Sequence, residues 1–170
     1  MKTTTLKTMA LSYRAVGGTG EYTKVMGVLK GLTIGQDDPD STEIEAEFFD
    51  SPFDIVYDGN PVTFNFELAN YDLSELPNLF GGTRTAGTTT TEEEYDGAPN
   101  AYTSEWEWKL DFQRGNSSLV LYRGLTVGTL KKDADGALNF NVTITALTYN
   151  AGGANDPDKM YKIIGHKTAE

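Results

Sequence analysis

The segment from Val62 to Gly82 constrains the fold of this chain more than any other. Val62, Phe64, Phe66 and Leu68 alternate with Thr63, Asn65 and Glu67, so an extended backbone puts the apolar set on one face and the polar set on the other. That period is a strand's. It then changes: Asp72 stands three residues before Glu75, a spacing at which each side chain can satisfy a free amide of the turn. Pro77 is tolerated only in a helix's first turn, which makes Ser74 the alternative cap, and Gly81-Gly82 suits the positive φ of a helix end. The spacing predicts one helix over residues 72–80, no longer than about two turns. Leu73, Leu76, Leu79 and Phe80 make it a plug against one side of a small sheet.

Most of the remaining chain reads as strand. Leu6 to Arg14 alternates weakly and is broken by Gly17-Gly18-Thr19-Gly20. In Tyr22 to Ile34 the apolar residues are interrupted by Gly27 and Gly31, which predicts a bent or bulged strand. After a polar turn at Gln36 to Ser41, Ile44, Ala46 and Phe48 alternate with Glu43, Glu45 and Glu47. That carboxylate row must face water, because burying it is costly. Phe49 to Asn60 is a long connection with a short strand at Asp54 to Tyr57. Gly82 to Ala101 is low in complexity, rich in Thr and Glu, and is expected as a surface excursion, either a solvated loop or a segment ordered by a partner.

The second half is more regular. Trp106, Trp108, Leu110 and Phe112 alternate with Glu105, Glu107, Lys109 and Asp111. Turns at Gly115 to Ser118 and Asp133 to Gly136 lead into Leu119 to Leu130 and then Leu138 to Ala146, an antiparallel meander. Tyr161 to Gly165 is the expected last strand. With 170 residues, 38% of them hydrophobic, the chain suits a single domain, residues 1–170, mainly β: an antiparallel sandwich or barrel with one short flanking helix.

The chemistry expected of such a chain is limited. Its 25 Asp and Glu against 14 Lys and Arg leave a net charge of −11, which repels a nucleic-acid backbone and an anionic membrane. The absence of cysteine excludes a disulfide framework, a thiol nucleophile and cysteine-ligated zinc. Neither a signal-peptide core nor a membrane-length apolar run is present, so a soluble chain made in the cytoplasm is expected. His166 lies near the chain end without a sequence neighbour to orient it as a base. Asp37 to Glu43 has oxygen ligands but lacks the alternation and central glycine of a calcium loop. Glu105 and Glu107 share a strand face, but the pattern reads as a solvated strand edge rather than a glycosidase pair. No catalytic residue, metal or cofactor is expected.

The order Gly27-Val28-Leu29-Lys30-Gly31-Leu32, then Asp38-Pro39-Asp40-Ser41-Thr42-Glu43-Ile44, then the strand running into Asp72-Leu73-Ser74-Glu75-Leu76-Pro77-Asn78-Leu79-Phe80-Gly81-Gly82, resembles the tail tube (major tail) proteins of long-tailed bacteriophages. The late run Leu138 to Ala146 and the Tyr161 to Gly165 strand are similar too, while Gly82 to Ala101 has no place in that pattern. The resemblance implies a structural subunit, not an enzyme. Its copies form hexameric rings that stack into a hollow tube within a virion, assembled in the host cytoplasm. The implied partners are further copies of itself, a tape measure protein in the lumen, a tail terminator and baseplate or tail-tip proteins. DNA passes without specific binding, and no membrane contact is implied. On this reading Glu43, Glu45, Glu47 and Glu67, on the next strand, line the lumen, and the loops bearing Phe53, Asp54, Arg84, Glu92, Glu93 and Glu94 join subunits or rings. Two other readings are an inner-tube subunit of a contractile injection or secretion system and a carbohydrate-binding β-sandwich module. The latter needs an exposed aromatic platform, for which Tyr95, Tyr102 and Tyr149 are candidates.

Overall fold

The computed structural model describes residues 10–38, 40–44, 54–98, 103–112, 117–152 and 158–165. It is mainly β, with an antiparallel sheet curled into a half-barrel and one short helix. The strands are β1 (Ala10–Arg14), β2 (Thr23–Lys24), β3 (Val28–Gly35), β4 (Asp40–Ile44), β5 (Asp54–Asp58), β6 (Thr63–Ala69), β7 (Thr83–Thr85), β8 (Glu94–Asp96), β9 (Thr103–Phe112), β10 (Ser117–Lys132), β11 (Leu138–Ala146) and β12 (Tyr161–Gly165). Helix α1 spans Leu76–Phe80. The main sheet runs β2-β1-β9-β10-β11-β6-β3, and β12 also pairs β10; β4-β5 and β7-β8 are separate two-stranded sheets. The expected meander is β9-β10-β11.

Strand β10 holds this sheet together. Its first residues pair with β12 (Leu119↔Ile163, Leu121↔Tyr161) and its later ones with β11 (Gly124↔Ala146 through Lys132↔Leu138), while β9 runs along its other side. Between Leu121 and Gly124 the register with β9 shifts. Such a bulge inserts one unpaired residue and reverses which positions face inward. Leu119 and Leu121 before it, and Thr126 and Gly128 after it, therefore share the core face. This is why Leu119 to Leu130 lacks a clean alternation in sequence. A second register shift, between Lys30 and Thr33 of β3, is where Gly31 takes a φ of 61°, realising the bulge that its glycine predicts.

The core collects Leu11, Tyr13, Phe64, Phe66, Leu68, Trp108, Leu110, Leu121, Phe140, Val142 and Ile144 beneath Leu76, Leu79 and Phe80 of α1. The helix begins later than its sequence implies. Asp72 closes a turn ahead of it, its carboxylate accepting the Ser74 N–H at 2.9 Å. Glu75 occupies the N-cap with no side-chain capping bond, because its carboxylate turns inward to accept the Met26 N–H at 2.9 Å. The reciprocal Asp72–Glu75 cap is therefore not formed, nor is Ser74 the cap. Pro77, which has no N–H to contribute, sits in the first turn as expected. The free carbonyls at the helix C-terminus find donors on the neighbouring strands: Ser104 Oγ to Leu79 O (2.9 Å), Trp106 Nε1 to Asn78 O (3.2 Å) and Tyr95 Oη to Gly81 O (2.8 Å).

Candidate functional site

Three surfaces of the described molecule remain without cover. The first is its sheet edges. Among the described residues β3 and β2 each have one strand neighbour, and β12 pairs β10 alone. Such edges present unpaired N–H and C=O groups, the usual template for adding another strand.

The second is a groove of about 440 Å³ between α1 and the free ends of β10 and β11, lined by Tyr71, Leu73, Phe80, Tyr95, Leu130 and Leu138 among others. Leu130 and Leu138 are 63% and 55% exposed, although the pairings Leu130↔Phe140 and Lys132↔Leu138 put both on the core face of the sheet. One wall carries the β7-β8 hairpin. Within the expected surface excursion, Thr83↔Asp96 and Thr85↔Glu94 pair, so its described part is a β-hairpin rather than a plain solvated loop. The repeated threonines close the tip: Thr88 Oγ1 accepts the N–H groups of Thr90 and Thr91, and the Thr88 N–H reaches the Thr91 carbonyl at 3.0 Å. At the base, Gly82 has a φ of 80°, and a β-carbon there would lie 2.1 Å from the Asp96 carbonyl oxygen, so only glycine lets the chain turn into the hairpin.

The third surface is the polar face of β10, β11, β6 and β3. There Lys131 bonds Glu67 at 3.0 Å, Asn139 donates to both Glu67 and Asp133, and Lys30 lies 3.5 Å from Asp133. The bond from Lys131 is the main cause that holds the Glu67 carboxyl below its ordinary range, with Asn139 and Lys30 adding to it.

A buried polar cluster lies elsewhere, on the back of β9. Glu107, only 5% exposed, accepts from Arg14 Nη2 at 2.7 Å and from the Tyr22 hydroxyl. Burial, reinforced by the bond to Glu107, pushes the Tyr22 hydroxyl well above its usual range. The solvated-edge expectation thus fails for Glu107, because the loop bearing Tyr22 folds over this side of the strand. It holds for exposed Glu105, which pairs with Arg123 at 2.7 Å.

The expected site residues separate. Glu67 is not on the strand next to Glu43: β4 pairs with β5, whereas β6 lies between β3 and β11. Glu67 faces Lys30 and Asn141 across the ladder, and its charge is matched by Lys131. Within the described chain Glu67 therefore stands in a different sheet from Glu43. Glu43 lies in β4 opposite Ile55, and Asp54 begins β5; Glu45, Glu47 and Phe53 lie outside the described residues. Arg84, Glu92, Glu93 and Glu94 gather on the β7-β8 hairpin, with Arg84 bonded to Glu93. Of the aromatic-platform candidates, Tyr95 is anchored to Gly81, Tyr149 stacks on Tyr122 at 5.8 Å, and Tyr102, like His166, lies outside the described residues. Sequence reasoning singled out neither Lys131 and Asn139 nor Ser104. Their signal is weak, since a polar residue on a strand acquires a role only from the register that places it.

No group of carboxylates or histidine among the described residues is arranged to hold a metal ion, and no described helix is long and apolar enough to cross a membrane. No model of a protein family matches the chain, and no curated protein matches it.

Proposed function

We propose that this chain is the structural subunit of a hollow tube of the phage-tail kind, its copies joining edge to edge into six-membered rings that stack around a lumen through which DNA passes. The observation that carries the reading is an antiparallel sheet curled only halfway to a barrel, with edge strands β3 and β12 unpaired on their outer sides among the described residues. A curled sheet with open edges leaves hydrogen bonds unmade, and joining edges around a ring satisfies them. The high negative charge supports the role, since a conduit must not hold phosphate. Glu43, Glu45 and Glu47 are the proposed repulsive lining. The tape measure, terminator and baseplate or tail-tip proteins are the proposed partners, and the virion the proposed location.

Sedimentation velocity over a concentration series tests the reading. Ring closure predicts a passage from monomer to a hexamer or its multiples with few species between, because an open chain of subunits always leaves two edges unpaired. A plain monomer–dimer equilibrium contradicts it.

A further inference from the structure

Two strands continue the lines of two others. The Leu147 N–H, just past β11, bonds the Arg123 carbonyl of β10, and the residue before it on β10, Tyr122, donates to the Met160 carbonyl ahead of β12. β12 thus takes up the edge of β10 where β11 leaves it. β5 stands to β6 as β12 stands to β11. The pairing Gly35↔Thr63 of β3 with β6 is followed, five residues along each strand, by Asp40↔Asp58 of β4 with β5, one register carried through. Between them Pro61 has no N–H to give a ladder, and Gln36 Nε2 to Asn60 O (2.9 Å) and Asn60 Nδ2 to Asp38 O (2.6 Å) hold the two chains together.

β6 pairs β11, yet β5 does not pair β12: among the described residues β5 pairs β4 alone and β12 pairs β10 alone. Two open edges of five residues each result. Their directions suit an antiparallel ladder, since β12 runs against β10, while β5 follows β6, which runs with β10 because both oppose β11. Their aspects suit one too. The β12 edge opens to the side on which β3 ends the sheet, and the β5 edge opens to the side away from β4, on which β6 meets β11. Copies set side by side in one orientation, as in a ring, join edges of opposite aspect. Against β12 the described residues offer only β2, two residues long, and β5; β3 and β4 open the same way as β12. A two-stranded hairpin alone is only marginally stable in water, and β12 holds Tyr161 and Ile163 on the core face, beside Leu121 and Leu119, at 44% and 68% exposure. A strand added at this edge gives the hairpin a third strand and those side chains a neighbour.

We infer that β5 of one copy adds to the open edge of β12 in the next, so that the β4-β5 arm of each subunit extends the sheet of its neighbour. The contact is made by backbone N–H and C=O groups, the usual currency of strand addition. A contact between unlike edges repeats head to tail and closes into a ring where the rotation allows. The inference rests on the tube reading and names the edges that its rings join.

The chain has no cysteine, so introduced ones report contacts cleanly. Full-length copies carrying Ile163→Cys alone are mixed with copies carrying Ile55→Cys, Val56→Cys or Tyr57→Cys alone, oxidised mildly, and the linked species identified by mass. The expected result is a mixed disulfide pair whose yield alternates along β5, differing at least about tenfold between neighbouring positions, since these point to opposite faces of a strand. A copy carrying Ile163→Cys together with the reactive β5 cysteine gives a ladder of linked copies that ends at six. A disulfide within single copies of that variant, with no mixed pair, overturns the inference, because the arm then folds back on its own chain. A ladder that ends at two supports the strand pairing and overturns the ring. Tubes in which no position links overturn the pairing and leave the tube reading standing. Hydrogen exchange of the wild type keeps the inference testable if a variant fails to fold: on self-association, segments 54–58 and 161–165 slow together by at least about tenfold, and association without that gain overturns the pairing. Failure of the wild type to self-associate at any concentration overturns both.

Discussion

Replacing Gly128 by Ala isolates the docking of α1 on the sheet. A β-carbon at Gly128 would lie 2.2 Å from Phe80 Cε1 and 2.3 Å from Cδ1, whereas carbon atoms pack best at about 3.5–4.0 Å. The ring must move by more than an ångström. It has little freedom to do so, because it stacks on Phe140 with centroids 4.7 Å apart and planes at 17°, and Gly81 behind it is tied to Tyr95. Overpacking of this kind costs about 1–3 kcal/mol, and the loss of an aromatic stack about 0.5–1.5 kcal/mol more. We expect Gly128→Ala to destabilise the fold by about 2–4 kcal/mol, a fall in Tm of about 5–12 °C for a chain of this length. Thermal and urea unfolding measure it. Adding Phe80→Leu should remove the obstruction, so the double variant is more stable than additivity predicts by about 1 kcal/mol or more. A Gly128→Ala variant within about 0.5 kcal/mol of wild type, or strict additivity with Phe80→Leu, would refute the plug.

Other outcomes follow from single features. Burial is the main cause raising the Glu75 carboxyl above 4.5, opposed by its bond from Met26 and aided by Asp72. A raised value means that the folded chain keeps this proton to higher pH than the unfolded one. Its contribution to stability is thus full below about pH 4.5 and lost as pH rises through the folded value. Glu75→Gln, which can still accept from Met26, should gain in Tm relative to wild type as pH rises from 4 to 7, and a pH-independent difference in scanning fluorimetry contradicts this. Deleting Arg84 to Glu94 removes exposed residues that leave the core intact, so the subunit's melting should change by no more than about 1 kcal/mol while tube formation is lost; normal tubes sink the role given to the hairpin. Exchanging Glu43, Glu45 and Glu47 for Lys should leave tubes intact but make them retain DNA at low salt in a filter-binding assay, with retention falling as salt rises; no gain in retention removes these residues from the lining.

The strands were legible wherever alternation was strict. Phe64, Phe66 and Leu68, and likewise Phe140, Val142 and Ile144, fall on the core face because period-two patterning needs no tertiary information. Gly31 marked its bulge through backbone freedom. The β10 bulge had no such marker: Tyr122 and Arg123 are ordinary residues, and the reversal of facing is visible only once Leu121 pairs Trp108 and Gly124 pairs Trp106. The Thr- and Glu-rich segment misled because low complexity usually means unordered chain, whereas here hydroxyls close a tight tip. Of the surfaces, the polar face was evident on β6 alone, from Thr63, Asn65 and Glu67. The pairing of Glu67 with Lys131, 64 positions away, depends on β6 and β10 flanking β11, and long-range register of this kind is not written in local pattern. The groove and the uncovered face of β12 likewise arise from where a strand ends relative to its neighbours.

Negative-stain electron microscopy of the purified protein at high concentration, with and without mild heating, tests the central claim most directly. The account predicts hollow tubes, or rings with six-fold end-on views, with a stain-filled lumen. Solid fibrils, or closed particles without a lumen at every concentration, contradict it.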